Sequence, residues 1–214
     1  MYNLHCHSLL SDGVLLPSEI AARYYAAGYK LIAITDHVDY SNIETVVKSI
    51  LNFTSNWPKN APIKVLPGIE LTHLMPEQFK PLVRYARGKG IKVIVGHGET
   101  PAEPVIASTN RAALESGIDI LAHPGLITDE DVALAIEKKV FLEVTSRRGH
   151  NATNTHVAAQ AKKNGARIVL STDSHSPEDI ISPAQLRKTG IDAGLSESEI
   201  DKLYIGVEEF LRQK

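Results

Sequence analysis

The sequence predicts an α/β protein whose parallel sheet is closed, or nearly closed, into a barrel. Short apolar runs alternate with longer helical patterns along the whole chain, which is typical of repeated βα units. Seven such units fit into the 214 residues at roughly 30 residues each, which is the size of one βα unit. No linker, low-complexity segment or repeat divides the chain, so we expect one domain over residues 1–214. An open, doubly wound sheet is the alternative architecture.

The strands and helices follow from local patterns. Each predicted strand is a short run rich in Val, Ile and Leu. The seven strands are Tyr2–His5, Leu31–Thr35, Ile63–Glu70, Lys92–Val95, Ile118–Ala122, Val140–Val144 and Arg167–Ser171. Several helices open with proline, which suits a first helical turn. The helices are Pro17–Ala27, Ile43–Asn56, Pro76–Gly88, Pro104–Glu115, Asp129–Lys138, Thr153–Lys163, Pro183–Ala193 and Ser196–Gln213. Four glycines are expected to end helices in the left-handed conformation, namely Gly28, Gly88, Gly117 and Gly165.

The composition excludes several classes of protein. Hydrophobic residues make up 43% of the chain and charged residues 22%, which is typical of a globular domain. The net charge of -2 provides no basic surface, so we expect no nucleic-acid partner. No apolar run approaches the ~20 residues of a membrane span, and the N-terminus lacks a signal-peptide pattern. The one cysteine, Cys6, fits a reducing compartment, so we expect a cytoplasmic protein. The oligomeric state stays open.

Titratable side chains are concentrated at one end of the predicted strands. Each strand has metal-capable side chains at or just beyond its C-terminal end. In strand order they are His5, His7 and Asp12; Asp36 and His37; Glu70 and His73; His97; His123; Glu143; Asp173 and His175. In a barrel these strand ends converge on one mouth, where active sites lie. We therefore expect a metal site at this mouth.

Strand alternation indicates which side chains share a face. His5 and His7 are two residues apart and should point to the same side, with Cys6 turned away beneath the helices. Asp173 and His175 repeat this spacing at the other end of the sequence. Both pairs can serve one site only if the first and last strands lie close together. This spacing therefore favours the barrel over the open sheet.

The number of candidate ligands suits more than one ion. The nine candidates are His5, His7, Asp12, His37, Glu70, His97, His123, Asp173 and His175. A catalytic ion with an open position takes three or four protein ligands, so nine suit two or three ions. Glu70 is the best placed carboxylate to bridge two of them. Mixed imidazole and carboxylate ligands suit Zn, Mn or Fe, and ions about 3.5–4 Å apart can share a hydroxide that attacks phosphorus or carbon.

These residues stand in motifs that resemble those of the PHP superfamily (polymerase and histidinol phosphatase), in the same order and over nearly the whole chain. The motifs are His5-x-His7-Ser8-x-x-Ser11-Asp12-Gly13, Ile34-Thr35-Asp36-His37, Pro67-Gly68-Ile69-Glu70, Gly96-His97, Ala122-His123-Pro124 and Ser171-Thr172-Asp173-Ser174-His175. The resemblance implies a distorted (β/α)7 barrel with a trinuclear site that hydrolyses phosphoesters. It assigns three ligand sets, which are His5, His7, Glu70 and Asp173; Glu70, His97 and His123; and Asp12, His37 and His175.

The loop after the sixth predicted strand supplies candidate substrate contacts. A guanidinium can bind two phosphate oxygens at once, so we expect Arg147 or Arg148 to bind the substrate phosphate. Arg148 is favoured because flexible Gly149 follows it. His150 is a candidate to donate a proton to the leaving group or to bind a phosphate oxygen. Together with Glu70 and Asp173, it completes the predicted catalytic set.

The leading functional hypothesis is hydrolysis of a small-molecule phosphoester by a hydroxide held between two or three divalent ions. The substrate could be histidinol phosphate, a nucleotide, a sugar phosphate or a cyclic phosphate. One alternative is an amidohydrolase-type C–N or C–O hydrolase, although that family typically has a bridging lysine at its fourth strand, where this chain has His97. The other is a catalytically inert, nucleic-acid-associated subunit with the same barrel, which the complete ligand set and the acidic net charge disfavour.

Overall fold

The framework of the protein is a parallel sheet, seen in a computed structural model that describes residues 1–214. The strands are β1 (Tyr2–Asn3), β2 (Leu31–Ile34), β3 (His37–Val38), β4 (Lys64–Leu71), β5 (Val93–His97), β6 (Ile120–Ala122), β7 (Phe141–Thr145) and β8 (Ile168–Ser171). Seven of them follow one another in the spatial order β1-β2-β4-β5-β6-β7-β8, and β3 pairs with the upper part of β4. Every pairing is parallel.

Eight helices connect the strands and follow the last of them. They are α1 (Pro17–Ala26), α2 (Ile43–Asn56), α3 (Phe79–Lys89), α4 (Thr109–Ser116), α5 (Asp129–Lys138), α6 (Asn154–Asn164), α7 (Pro183–Asp192) and α8 (Glu197–Leu211). Side chains cap several helix starts: Ser196 and Glu199 bond each other's backbone N–H at α8, and Thr128 accepts from the Asp131 N–H at α5. None of the helices combines the length and the apolar character needed to cross a membrane.

The sheet curls until its first and last strands meet just beyond their regular parts. Cys6 and Ser174 form a parallel bridge, and the His7 N–H donates to the Ser174 carbonyl at 2.9 Å. The Asp173 N–H donates to the His5 carbonyl at 3.0 Å. The prediction of a nearly closed α/β barrel is therefore confirmed, and the open doubly wound sheet is excluded. Closure brings the two halves of the ligand series, from opposite ends of the chain, to the same place.

Two apolar clusters hold the barrel together. The larger lies between the sheet and the helices and includes Cys6, which is fully buried on the outer side of the sheet, as strand alternation predicts. The smaller fills the lower half of the barrel interior. Its members are Tyr2, Leu4, Ala33, Leu66, Val93, Val95, Ile120, Ala122, Phe141, Val169, Val207 and Leu211. The last two come from α8, which closes the amino-terminal end of the barrel.

Some predicted boundaries were wrong for identifiable reasons. The helix expected from Pro104 begins at Thr109, because residues 104–108 form an irregular loop in which Ser108 has a φ of 71°. The α-helix expected from Pro76 begins at Phe79, after a 3₁₀ turn. Gly88 was expected to end that helix, but it lies within it. Gly90, with a φ of 106°, ends the helix instead, because this left-handed conformation favours glycine.

Candidate metal centre

All nine predicted ligands lie at the carboxyl end of the barrel, and the structure brings them into one cluster. Six of them are buried at the strand ends: His5, His7, Glu70, His97, His123 and Asp173. Asp12, His37 and His175 lie closer to the surface and form the outer side of the cluster. Loops and strand ends from the whole circumference of the barrel therefore contribute to a single group of donors.

The deepest group consists of His5, His7, Glu70 and Asp173. The Nε2 atom of His5 lies 3.3 Å from Glu70 Oε2 and 3.5 Å from Asp173 Oδ1. The Nε2 atom of His7 lies 3.6 Å and 3.1 Å from the same two oxygens. Both imidazoles thus face both carboxylates around one small volume. These are the four residues that the family resemblance assigns to one metal.

A second group shares Glu70 with the first. Its other members are His97 and His123, and one ligand atom from each of the three residues lies within 4.8 Å of the others. The Nε2 atom of His123 is 3.6 Å from Glu70 Oε1, whereas the first group faces Oε2 of the same carboxylate. Glu70 therefore presents a different oxygen to each group. This is the arrangement required of a bridging carboxylate.

The third group lies on the outer side of the cluster. The Nε2 atoms of His37 and His175 are 3.4 Å apart, and they lie 3.6 Å and 3.4 Å from Asp12 Oδ1. The ring of His7 stacks against each of the rings of His37 and His175, with both centroid distances at 4.1 Å. Asp12 is held in place by Asp36, which accepts hydrogen bonds from Ser8 and Ser11 and so fixes the intervening loop.

The buried donors lack hydrogen-bond partners of their own. Eight buried side-chain nitrogen and oxygen atoms have none, and seven of them belong to His5, His7, Glu70, His123 and Asp173; the eighth is the hydroxyl of Tyr204, outside the cluster. Buried polar atoms are almost always paired, and each exception calls for an explanation. Divalent ions fit this set, because imidazole nitrogens and carboxylate oxygens are the donors that Zn, Mn and Fe accept. The residues present therefore suit the ions that the family resemblance implies.

Hydrogen bonds at the opposite ring nitrogens prepare several histidines as ligands. His97 and His175 donate from Nδ1 to the carbonyls of Gly98 and Asp173, each at 3.0 Å. A ring nitrogen that donates in a neutral imidazole leaves Nε2 with a free lone pair. His5 likewise donates from Nδ1 to Glu143 at 2.7 Å. Partners of this kind orient metal-binding histidines in many proteins.

Glu143 supports the cluster from within the barrel. Its Oε1 atom accepts from His5 and, at 2.5 Å, from the hydroxyl of Ser171, while Oε2 accepts from the His123 N–H at 3.0 Å. The carboxylate is fully buried. It thereby links the backbone of one candidate ligand to the side chain of another. From its position within β7, Glu143 points into the barrel beside the cluster.

Burial and neighbouring imidazoles lower the pKa of His7 and His123, whereas for His5 the facing carboxylates of Glu143 and Glu70 outweigh burial and raise the pKa. The pKa of His7 lies well below its usual value because the ring is fully buried and His37 lies beside it. The pKa of His123 is lowered in the same way by burial and by His97. Both rings are therefore neutral near pH 7, which is the form that binds metal.

The central carboxylates respond differently to the same surroundings. Burial acts to raise the pKa of Glu70, but His5 and His37 outweigh it and hold the pKa well below its usual range. For Asp173 burial dominates and raises the pKa to about 6. Glu70 is therefore the more firmly ionised of the two.

Three residues at the site have a positive backbone φ, which is uncommon outside glycine. His73, His123 and Asp173 have φ values of 51°, 28° and 49°. Positive φ is costly for residues other than glycine and is concentrated at functional sites. The fold thus holds these side chains in directions that a relaxed strand end would not provide.

The predicted substrate residues have different surroundings. His150 stacks on His123 with a centroid distance of 4.2 Å and lies 2.8 Å from the Thr100 hydroxyl, so it lies within the site. Arg147 bonds Asp179 at 2.9 Å, and Arg148 is exposed with no hydrogen bond or ion pair.

Sequence reasoning missed Glu103. Its Oε2 atom lies 3.1 Å from His73 Nε2 and 3.2 Å from His97 Nε2, and its Oε1 atom lies 3.4 Å from His150 Nε2. Contact with His97 lowers the pKa of Glu103 to about 2. The residue was overlooked because Pro104 beside it resembled a helix start. The only available signal was the pair Pro101 and Pro104, which disfavours helix between them.

An open cavity leads from the outer side of the cluster to the surface. Its volume is about 850 Å³, which is in the range of small-molecule sites. Asp12 and His37 lie at its inner end, and no lysine, arginine or aromatic ring other than histidine lines it. The lining residues are Ser11, Asp12, His37, Asn42, Thr72, His73, Glu103, Pro104 and Ile106. A polar small molecule could thus reach the cluster through this cavity.

The fold and the cluster define an α/β barrel with a candidate metal centre at its carboxyl end. The PHP domain model matches residues 3–119, which is more than half of the chain. An uncharacterized protein of Methanocaldococcus jannaschii is 39% identical over 202 residues, covering 94% of this chain and 93% of that protein. The chain therefore belongs to the PHP domain family.

Two further comparisons describe more distant relationships. A probable phosphatase of Thermoanaerobacter sp. is 24% identical over 230 residues, covering 98% of this chain and 94% of that protein. An amidohydrolase of known crystal structure superposes with a TM-score of 0.60 at 14% identity, covering 95% of this chain and 71% of that one. The second relationship concerns the fold alone.

Proposed function

We propose that this protein is a metal-dependent phosphoesterase that hydrolyses a small-molecule phosphoester at a site holding two or three divalent ions. The observation that carries the proposal is the set of seven buried, unpartnered donor atoms at the mouth of the barrel. Membership of the PHP domain family and a relative named as a probable phosphatase support the phosphoester as substrate.

The nine cluster residues have the role of holding the ions. In the proposal His5, His7, Glu70 and Asp173 hold one ion, and Glu70, His97 and His123 hold a second. Asp12, His37 and His175 hold a third. Bound divalent ions lower the pKa of water towards neutrality and neutralise charge on phosphoryl oxygens. Glu70 and Asp173 are the proposed catalytic carboxylates, because both are buried and both face His5 and His7.

The remaining roles belong to residues around the cluster. His150 is the proposed proton donor to the leaving-group oxygen, since its ring stacks on His123 and its Nε2 atom faces the rim. Arg148 is the proposed phosphate contact, because its guanidinium is unpaired. It does not line the open cavity, so the loop after β7 would have to bring it to the substrate. Arg147 is engaged by Asp179, so it would have to exchange that partner for substrate.

The amidohydrolase alternative is less well supported. The bridging lysine typical of that family has no counterpart here, because β5 ends at His97 and no lysine is among the buried polar and charged residues. Similarity at 14% identity to an amidohydrolase concerns the barrel and not its chemistry. A panel that includes amide substrates separates the two reactions directly.

The test begins with metal analysis of the purified protein. The ions are then removed with a chelator and replaced by Mn²⁺, Zn²⁺ or Fe²⁺, and phosphate release is measured on monoesters and cyclic diesters. We expect two or three ions per chain, loss of hydrolysis on chelation and recovery on reloading. Full hydrolysis in metal-free protein, or one ion or none in active protein, would contradict the proposal.

A further inference from the structure

Three residues at the rim of the cluster form a donor group that the nine candidate ligands do not explain. His73, His97 and Glu103 each offer a ligand atom within 4.8 Å of the other two. Glu103 lies between the two histidines, at 3.1 Å from His73 Nε2 and 3.2 Å from His97 Nε2. Two histidines and one glutamate, with the other positions open to water, form a donor set that proteins use for Zn²⁺.

Exposure decreases stepwise across this group towards the barrel interior. The side chain of His73 is 48% exposed, that of Glu103 39% and that of His97 only 2%. Beyond His97 lie His123 and Glu70, which are 1% and 0% exposed. The donors thus form a continuous path from solvent to the deepest carboxylate.

His97 is a member of both the outer and the inner donor group on this path. Its Nδ1 atom donates to the Gly98 carbonyl at 3.0 Å, so Nε2 is its only free ligand atom. His97 Nε2 lies 3.2 Å from Glu103 Oε2, and His97 offers a ligand atom within 4.8 Å both to the group with Glu70 and His123 and to the group with His73 and Glu103. One nitrogen lone pair binds one ion at a time. An ion at the rim and an ion at the inner position therefore compete for His97.

The backbone of His73 has an unusual conformation that fixes the direction of its side chain. Its φ of 51° lies in the left-handed region. The side chain contacts Glu103, and its ring lies tilted against that of His97 with a centroid distance of 4.8 Å. A histidine in this conformation is strained, and the surrounding structure has to hold it there. The strained backbone directs an exposed imidazole towards the cluster when it could otherwise extend into solvent.

We propose that His73, Glu103 and His97 form a rim site that admits divalent ions to the buried positions, with His97 transferring from the rim site to the inner one. The proposal rests on the metal binding invoked in the proposed function. The ion exchanges water and protein donors one at a time along the path, so no buried donor has to meet a fully hydrated ion. The rim donors lower the barrier in both directions and leave the final occupancy of the inner site unchanged.

The experiment measures the kinetics of Co²⁺ binding to the full-length, metal-free protein. The variants are Glu103→Gln and His73→Gln, with Glu77→Gln as a control that removes an exposed carboxylate from the neighbouring 3₁₀ turn. We expect both rim variants to load Co²⁺ and to release it to a chelator about tenfold more slowly, with unchanged final content. Loading and release at the wild-type rates in both rim variants would overturn the proposal.

A second measurement uses a background in which the inner position is weakened. In His123→Ala protein, Co²⁺ held by the rim site should persist, and adding Glu103→Gln should remove it. Equal Co²⁺ content in the single and double variants would overturn the rim site. Thermal unfolding of each metal-free variant shows whether it is folded, and the kinetic test on rim variants does not need His123 to be changed.

The outcomes also separate this inference from the proposed function. If the wild-type protein binds no Co²⁺, both fail. If it binds Co²⁺ and hydrolyses phosphoesters while the rim variants load normally, the rim site alone fails. If the rim variants load slowly but no phosphoester is hydrolysed, the proposed function fails and the rim site stands.

Discussion

The two halves of the barrel interior differ sharply, although the same strands build both. The lower half is filled by twelve apolar side chains and closed by Val207 and Leu211 of α8. The upper half holds imidazoles and carboxylates, seven of whose buried atoms lack partners. On β4 the change occurs within four residues, since Leu66 belongs to the apolar cluster and Glu70 belongs to the polar one.

The two halves of the barrel interior have different roles in stability and in chemistry. Apolar burial below stabilises the fold, whereas buried charge above costs free energy unless ions or protons compensate it. The lower half should therefore govern unfolding, and the upper half should govern metal binding and catalysis. Substitutions in each half test whether this division holds.

The largest expected effect is that of Glu70→Gln. The substitution removes a negative donor from two ligand groups at once, so we expect kcat/KM for phosphoester hydrolysis to fall by about 10³-fold or more, which is about 4 kcal/mol. Metal analysis should show the loss of at least one ion. Wild-type activity and metal content in this variant would contradict the role of a shared carboxylate.

The matched substitution in the lower half is Leu66→Ala. It leaves a cavity beneath the cluster, so we expect the free energy of unfolding to fall by about 2–5 kcal/mol. Denaturant titration measures this loss. Because the residue does not touch the donors, kcat per folded molecule should be unchanged. A large fall in kcat with unchanged stability would reverse the assignment of the two halves.

Arg148→Ala tests the loop above the polar half. We expect kcat/KM to fall by about 10²-fold, which is about 2.7 kcal/mol, with metal content unchanged. Arg147→Ala tests whether the arginine paired with Asp179 takes part instead. Arg23→Ala is the control, because it removes only an exposed pair with Glu19 on α1. The phosphate-contact role is wrong if neither loop variant alters the kinetics.

Glu143→Gln tests the support beneath the ligands. The amide keeps the shape of the carboxylate but loses the charge that orients His5. We expect metal affinity to fall by about 10–100-fold, or about 1.4–2.7 kcal/mol, and activity to recover at high metal concentration. Competition with a coloured chelator measures the affinity. Failure to recover at saturating metal would indicate a direct part in the reaction.

The smallest effect is expected for Cys6→Ser. The thiol faces away from the donors and donates to the Ala33 carbonyl at 3.3 Å, a bond that a hydroxyl can retain. We expect unchanged kcat/KM and metal content in steady-state assays. A folded but inactive variant would show that the face of residues 5–7 opposite the two histidines is also needed for hydrolysis.

The candidate ligands could be predicted from the sequence where they follow the two-residue periodicity and the parallel order of the strands. His5 and His7 share a face because strand alternation has a period of two, and the parallel order of strands brings Glu70, His97 and His123 to the same end. These features depend on local pattern and on barrel closure, both of which can be read from the chain.

Features that depend on loops were not predictable in the same way. Glu103 approaches His97 because residues 98–108 fold back over the barrel mouth, and no periodicity describes that path. The partner of Arg147 is Asp179, 32 residues further along the chain, and only tertiary structure shows their contact. Two glycines near the end of α3, Gly88 and Gly90, could each end the helix. Only the backbone conformation in the structure shows that Gly90 does so.

The bridge between Cys6 and Ser174 has a consequence for how the protein is made. During synthesis His5 and His7 leave the ribosome early, but Asp173 and His175 emerge only after more than four fifths of the chain has been translated. A nascent chain therefore cannot assemble the deepest donor group, whatever metal is present. In the proposed metal centre, capture of an ion by this group would therefore follow translation of β8, and the ion would be selected by a nearly complete barrel and not by a growing one.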